Sequence, residues 1–251
     1  NNSIIWALIG NDSYAYYNDS LGWAIANDTT EKYWEDATNF IGNNPTSIWN
    51  NYATVYHFEN SKADSTNNYN LTLYNSPSYV TGVFGYGMSF DGNNQYADTG
   101  YAMSDGGYVP YSVEGWYKWN NVSVQQVLFD NNDGWYKHDT LLNGWSEGDQ
   151  NLTMCCGYPE HDDCWNTNFT ATTDQWYYIV GIWDYTGTDA GDVNMSLWVD
   201  GEMVASHLNT VSCANSGNTF KIARWGSGDL AFFYGTIGEF RIYNGTLSSG
   251  Y

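Results

Sequence analysis

The stretch that decides the fold is Met195-Ser196-Leu197-Trp198-Val199-Asp200-Gly201-Glu202-Met203-Val204-Ala205. An Asp-Gly pair supplies the two positive φ angles of a type I′ turn, so the flanking runs pair as an antiparallel hairpin in a defined register. Two further runs, Trp176 to Trp183 and Gly235 to Tyr243, are apolar on both faces over much of their length. Such runs are typical of central strands in packed sheets. The sequence therefore predicts an all-β protein.

The rest of the chain after Trp49 follows the same pattern, with short aromatic and β-branched runs broken by Gly, Asn, Asp and Ser. Aromatic residues make up 18% of the 251 residues, which favours half-buried strands over disorder. One large β domain is expected at this length. Helical signal is local: Asp28 to Glu31 resembles a capping box and predicts one short helix over residues 29–40.

The charge of the chain limits its partners. Seven basic residues against 28 acidic ones give a formal charge of −21. This charge repels phosphate backbones and anionic lipid surfaces, so we expect neither nucleic acid nor a membrane as partner. No apolar run is long enough for membrane insertion, and the start at Asn1 without a leader predicts a secreted, processed product.

Sequons for N-glycosylation are dense. Ten N-x-S/T sequons occur where composition alone gives roughly five, and they predict covalent N-glycans on an extracellular or cell-surface chain. Their asparagines are Asn1, Asn11, Asn18, Asn27, Asn70, Asn121, Asn151, Asn168, Asn194 and Asn244.

The four cysteines Cys155, Cys156, Cys164 and Cys213 form an even set, which predicts two disulfides in an extracellular chain. A bond between the adjacent Cys155 and Cys156 would be strained. Two pairings remain open: 155 to 164 with 156 to 213, or 155 to 213 with 156 to 164. Zinc, with His161 nearby, is the rival interpretation, but the C-x-x-C spacing is absent.

Seven motifs then occur in the order found in one known family. The chain resembles laminin G-like jelly-roll domains of the concanavalin A-like lectin and glucanase type from about Tyr52 to Ser248. This resemblance implies an antiparallel two-sheet sandwich, and we place the jelly-roll domain at residues 52–251. The motifs are Val55 to Asn60, Asn70 to Leu73, Gly87 to Gly92 with Tyr96, Tyr111 to Trp116, Gln175 to Val180, Leu197 to Gly201, and Gly235 to Tyr243.

Residues 1–51 form an N-terminal extension outside that match. Ile4 to Ile9 and Tyr14 to Tyr17 are predicted strands, and the end of the second resembles the last strand of a domain of unknown function that precedes such jelly rolls in microbial surface proteins. A strand without its own sheet needs a partner for its backbone groups, either the jelly roll or a neighbouring subunit.

No catalytic site is predicted. Glucanases of this fold need two close carboxylates, commonly on one strand face, and no E-x-D-x-E or E-x-D-x-x-E pattern occurs. Glu239 and Arg241 share a strand face and predict a structural ion pair. The four histidines, including His57, are too scattered to form a ligand set, and we assign them no role.

Two kinds of binding site are predicted by composition. The resemblance implies a possible calcium site in an acidic loop, and the candidates are Asp130 with Asp133 and Asp162 with Asp163, besides a third group at Asp184, Asp189 and Asp192. Aromatic residues in Asn- and Gly-rich loops are candidate sugar platforms. The foremost are Trp135, Tyr136, Trp145 and Trp165.

These observations favour a non-enzymatic extracellular glycoprotein. The first hypothesis is a structural subunit of a surface appendage or filament, a homo-polymer that assembles through its N-terminal strand. The alternative is an adhesin or carbohydrate-binding module that takes a glycan ligand, with calcium as a possible but not required cofactor. A glycosidase is the remote third.

Overall fold

The computed structural model describes residues 5–8, 13–18, 22–27, 49, 51–104, 107–131, 139–144, 150–158, 161–185, 192–209, 217–226 and 231–247, with only the backbone for residues 5–27, 139, 158 and 161–163. Every secondary-structure element of three or more residues in this part is a strand, as predicted. They are β1 (Ile5–Leu8), β2 (Ser13–Asn18), β3 (Gly22–Asn27), β4 (Tyr52–Tyr56), β5 (Thr72–Tyr74), β6 (Ser78–Thr81), β7 (Tyr86–Asp91), β8 (Tyr96–Ala102), β9 (Tyr111–Trp119), β10 (Gln126–Asp130), β11 (Asp139–Asn143), β12 (Asn151–Tyr158), β13 (His161–Thr170), β14 (Trp176–Asp184), β15 (Val193–Val199), β16 (Glu202–Asn209), β17 (Thr219–Ile222) and β18 (Tyr234–Tyr243).

Two antiparallel sheets form the sandwich. The eight-stranded sheet runs β16-β15-β14-β9-β18-β7-β6, and β4 also joins it by pairing with β18. The seven-stranded sheet runs β13-β12-β11-β10-β17-β8-β5. The ten-residue β18 is long enough to pair with β7 along its first half and with β4 along its second. This two-sheet architecture confirms the predicted jelly-roll class.

The core lies between the sheets and is aromatic. Along β15 every second residue is buried, which is the period of a strand with one face on a core. Trp183 is fully buried, with its ring stacked on Tyr111 at 5.1 Å and meeting Phe129 edge-on at 5.6 Å. Such ring pairs add to the stabilisation from buried area. Side chains of even position on β9 and β14 are thereby left on the outer face.

The hairpin predicted from the Asp-Gly turn is confirmed. Asp200 and Gly201 have φ angles of 50° and 87°, and β15 pairs with β16 in antiparallel register. A second hairpin carries a disulfide: Cys155 on β12 lies opposite Cys164 on β13, and their sulfurs are bonded. This bond belongs to the first of the two pairing schemes that the sequence left open, 155 to 164 with 156 to 213. Cys156 is also disulfide-bonded, while Cys213 lies outside the described residues.

The N-terminal extension contains one strand more than predicted. β1, β2 and β3 form a three-stranded antiparallel sheet of their own, so the expectation of an orphan strand needs correction. The pattern Gly-Trp-Ala-Ile-Ala-Asn of β3 is short and weakly alternating, which is why it escaped prediction. The helix predicted over residues 29–40 lies outside the described residues. Within the described part, no helix is long and apolar enough to span a membrane.

Candidate functional site

The outer face of the eight-stranded sheet, turned away from the seven-stranded sheet, concentrates aromatic side chains. Trp116 on β9 lies opposite Tyr178 on β14, with ring centroids 5.3 Å apart. Phe84, in the turn between β6 and β7, meets Trp116 edge-on at 5.7 Å and is 39% exposed. Trp176 completes the group, because its ring lies over Gly238. We call Phe84, Trp116, Trp176 and Tyr178 the aromatic face.

Hydrogen-bonding groups lie in one row across the sheet from these rings, in the order Trp176, Lys118, Thr236, Ser89 and Ser78. The ammonium group of Lys118 lies 5.2 Å from the centroid of Trp176, within cation–π range. Ser78 and Ser89 are Cα partners on β6 and β7, and Ser89 is also the partner of Thr236 on β18. Half-exposed rings can contact the apolar side of a sugar ring, and neighbouring hydroxyl and ammonium groups can donate hydrogen bonds to its polar edge.

A second group on the same sheet face is a buried charge cluster of Glu114, Glu239, Arg241 and His57. The guanidinium of Arg241 donates to Glu114 at 3.2 Å and to Glu239 at 2.9 Å. His57 Nδ1 lies 2.8 Å from both oxygens of Glu239. The side chains of Glu114 and Glu239 are only 2% and 8% exposed, so the guanidinium holds two carboxylates that have little contact with water.

Hydroxyl and aromatic groups complete the cluster. Glu114 accepts hydrogen bonds from the hydroxyls of Tyr52, at 2.9 Å, and Tyr178. Burial and then the nearby charge of Glu114 raise the pKa of Tyr178, so this phenol remains a donor. The ring of Trp49 lies 5.5 Å from the guanidinium and 5.4 Å from the imidazole of His57. Every carboxylate oxygen of the cluster therefore has a partner within the protein.

The protonation state of Glu239 follows from these contacts. Burial acts to raise its pKa, but the charges of His57 and Arg241, with hydrogen bonds from both, lower it to about 2. Glu239 is therefore ionised at neutral pH and holds no proton to deliver. Glu59 nearby behaves oppositely: burial raises its pKa against the hydrogen bond from the Tyr86 amide at 3.1 Å.

A part of this sheet face on β9 and β14 is covered by residues 244–247, which we call the C-terminal segment. Ser112 Oγ donates to the carbonyl of Gly245 at 2.9 Å and accepts from the amide of Leu247 at 3.0 Å. Leu247 then packs on Val180 and Ile182. The aromatic face is thus bounded on one side by the charge cluster and the C-terminal segment.

Sequence reasoning found part of this arrangement. The predicted Glu239–Arg241 ion pair is confirmed. Glu114 and His57 were not predicted as members of the cluster: His57 was assigned no role, and its Nδ1 lies against Glu239. Glu114 lies 127 positions before Arg241 and meets it through strand register, since the two are Cα partners. A search for two carboxylates on one strand cannot detect a pair on neighbouring strands.

The loop residues predicted as ligand sites are placed only in part. Trp165 on β13 packs against the core, with its ring stacked on His207 at 5.2 Å. Asp130 is buried and accepts from the Thr140 hydroxyl and the Gly226 amide, both at 2.5 Å. Trp135, Tyr136, Trp145, Asp133 and Asp189, and the side chains of Asp162 and Asp163, lie outside the described residues. Calcium stays a prediction, and within the described part no group of three or more potential ligands is suited to a metal ion.

Six sequon asparagines have described side chains, and all are at least partly exposed. Five lie in loops, at a strand end or on the seven-stranded sheet, while Asn194 lies within β15 on the outer face of the eight-stranded sheet. Occupancy of the sequons stays a prediction. The six are Asn70, Asn121, Asn151, Asn168, Asn194 and Asn244.

Comparison with solved structures extends these observations. Domain 4 of AbnA, an extracellular GH43 arabinanase from Geobacillus stearothermophilus solved with arabinotriose, matches with a TM-score of 0.63 and 20% identity over 79% of this chain and 94% of that one. The binding domain of Paraclostridial Mosquitocidal Protein 1 gives 0.62 and 14%, over 80% of this chain and 50% of that one. The Trypanosoma rangeli sialidase with 2,3-difluorosialic acid gives 0.57 and 15%, over 80% and 32%. At these identities the likeness shows the fold.

The chain spans half of the toxin domain and a third of the sialidase. Among curated proteins, none matches it significantly. The sequence profile described as the concanavalin A-like lectin/glucanases superfamily matches residues 91–250, which is more than half of the chain. Together with the two-sheet sandwich, this match shows that the chain belongs to the concanavalin A-like lectin/glucanase superfamily.

Proposed function

We propose that the protein is an extracellular, non-catalytic module that binds glycans through its aromatic face. The observation that carries the proposal is the group of half-exposed rings of Phe84, Trp116 and Trp176 beside Lys118 and the strand hydroxyls. Indole and phenyl rings stack on the apolar faces of sugars, and neighbouring polar groups fix their orientation. The arabinotriose held by the arabinanase domain, a protein of the same fold, agrees with a sugar as ligand.

The charge cluster supports a binding role over hydrolysis. A retaining or inverting glycosidase needs one protonated carboxyl and one free carboxylate, with room for the scissile bond between them. Glu114 and Glu239 instead share the guanidinium of Arg241, and Glu239 is ionised. In this arrangement the two carboxylates hold the strands of the sheet together beside the binding face.

The extracellular assignment rests on covalent chemistry. The Cys155–Cys164 disulfide is of a kind that persists in oxidising compartments, and the sequons are substrates of the secretory pathway.

A glycan array tests the proposal, with the wild-type protein compared with Trp116→Ala. Loss of a central tryptophan is expected to weaken binding of the strongest glycans at least about tenfold. Tyr74→Ala is the matched control, because Tyr74 is 38% exposed but lies on the seven-stranded sheet, stacked on Tyr96. An array that stays blank, or binding that Trp116→Ala leaves unchanged, contradicts the proposal. Repeating the array with chelator tests the calcium prediction.

The second candidate function is that of a structural subunit that assembles through its N-terminal extension. The small size of the sheet in that extension favours it. The sheet β1-β2-β3 contains 16 residues, which is marginal for independent stability without a further packing partner. Addition to a sheet edge of a second copy would supply backbone partners. Deletion of residues 1–27 is then expected to convert polymers seen by electron microscopy into monomers, whereas polymers of unchanged size would refute this role.

A further inference from the structure

A strip of exposed and half-exposed side chains, three of them apolar and three polar, runs along the outer side of the β15–β16 hairpin. Three cross-strand pairs form it: Asn194 with Leu208, Ser196 with Ser206, and Trp198 with Met203. Met203 is 53% exposed and Leu208 is 56% exposed. We call these six residues the edge strip.

The edge strip lies where a β protein is most open to unwanted pairing. β16 is the last strand of the eight-stranded sheet, it is eight residues long, and it contains neither Lys nor Pro. Long apolar edge strands without such residues are templates for aggregation unless something covers them. The net charge of −21 gives general repulsion between copies, but β16 itself carries only one acidic residue, Glu202.

The candidate cover begins inside the strip itself. Asn194-Met195-Ser196 is a sequon, and the Asn194 side chain is exposed. Trp198 Nε1 donates to Ser196 Oγ at 3.2 Å, so its indole leans back along the strand towards Asn194. Trp198 lies four residues from Asn194, about 13 Å along the strand, and Ser196, which its indole contacts, lies two residues from Asn194, about 7 Å. A sugar chain that leaves Asn194 along β15 therefore meets the indole within its first units.

We propose that an N-glycan on Asn194 lies along the edge strip, stacks on Trp198 and shields Met203 and Leu208 from association. The position of the glycan is defined, because its attachment point Asn194, the hydroxyl of Ser196 and the indole of Trp198 follow one another on the same face of β15. Sugar rings present one apolar side to such a platform and polar edges to water. The covered strip then presents hydroxyls to the solvent in place of exposed Leu and Met.

This inference rests on the extracellular, glycosylated part of the proposed function and not on ligand binding at Trp116. The two sites adjoin but consist of different residues: Trp198 pairs with Val180, Trp116 pairs with Tyr178, and Trp198 and Tyr178 both pack on the cluster of Val180, Ile182 and Leu247. The glycan array tests ligand binding at Trp116, and the experiment below tests the glycan on Asn194. A negative result in either experiment therefore does not decide the other proposal.

The test is production of the full chain in an N-glycosylating host, with Asn194→Gln compared with Thr246→Ala. The control removes the sequon of Asn244 through an exposed threonine on the C-terminal segment. We expect peptide mass spectrometry to show glycan on Asn194. In sedimentation, Asn194→Gln associates and binds more apolar dye, while Thr246→Ala and the wild type do not. Adding Met203→Lys and Leu208→Lys to Asn194→Gln restores the monomer.

A second measurement guards against loss of folding in the variant: enzymatic removal of N-glycans from the folded wild type is expected to cause the same association. An unmodified Asn194 in the secreted wild type would overturn the inference. So would equal behaviour of Asn194→Gln and Thr246→Ala. If the association vanishes when residues 1–27 are also deleted, the N-terminal extension, and not the glycan, would be the partner of the edge strip.

Discussion

Replacing Arg241 by methionine is expected to lower the free energy of unfolding by about 3–5 kcal/mol, because it leaves two buried carboxylates without their shared cation. Glu114 and Glu239 have 2% and 8% of their side-chain surface exposed, so water cannot take the place of the guanidinium. Methionine fills much of the same volume, which keeps the loss electrostatic. Denaturant unfolding followed by tryptophan fluorescence measures the change.

Two further variants identify the cause. Lys118→Met removes a cation that also lies over a tryptophan ring but is half-exposed, and its effect is expected to stay below about 1 kcal/mol. Adding Glu114→Gln and Glu239→Gln to Arg241→Met is expected to recover about half of the loss, since no unpaired charge remains. If the triple variant were no more stable than Arg241→Met, lost packing would replace electrostatics as the explanation.

Acid is expected to remove about 3 kcal/mol of stability through Glu239 alone. Its pKa is about 2 in the folded protein against an ordinary value of 4.5. A carboxyl whose pKa is lowered by folding contributes its full stabilisation above the unfolded pKa, and the contribution is lost as the pH falls through the folded pKa. The stability is therefore lost between pH 4.5 and about pH 2. The difference between the unfolded and folded pKa corresponds to about 3 kcal/mol.

The comparison with Glu239→Gln isolates this contribution, because the variant cannot titrate there. The difference in unfolding free energy between the wild type and the variant is expected to shrink steadily across this pH range. Asp91→Asn serves as the comparison with an exposed carboxyl: burial acts to raise the pKa of Asp91, but hydrogen bonds from the amides of residues 93–95 together lower it. Because Asp91 is exposed, its difference is expected to change with pH by less than that of Glu239. A difference that stays constant with pH would show that Glu239 is not held ionised by its neighbours.

Features of the fold that depend on nearby residues could be predicted from the sequence. The Asp200-Gly201 turn sets its own hairpin because both residues adopt positive φ. The Glu239–Arg241 pair follows from the two-residue period of a strand. The disulfide alternatives followed from counting cysteines, and the register of β12 against β13 selected the 155 to 164 bond.

The site itself could not be predicted, because it depends on register between distant strands. Trp116 meets Tyr178, and Glu114 meets Arg241, through pairings that no local pattern encodes. Composition pointed to aromatic residues in loops, since Asn- and Gly-rich surroundings mark exposure. The exposed rings of the aromatic face come instead mainly from strands, where alternation hides which of the two faces is open to solvent.

The most direct test of the binding site is a titration of the tryptophan indole N–H signals in a ¹⁵N-labelled sample with the strongest glycan from the array. Residue-by-residue substitution assigns the signals. Binding at the aromatic face predicts shifts for Trp116 and Trp176, and unchanged signals for Trp119 and Trp183, which are fully buried in the core. Saturable shifts confined to other tryptophans, with Trp116 and Trp176 unmoved, would place the ligand elsewhere and contradict the account.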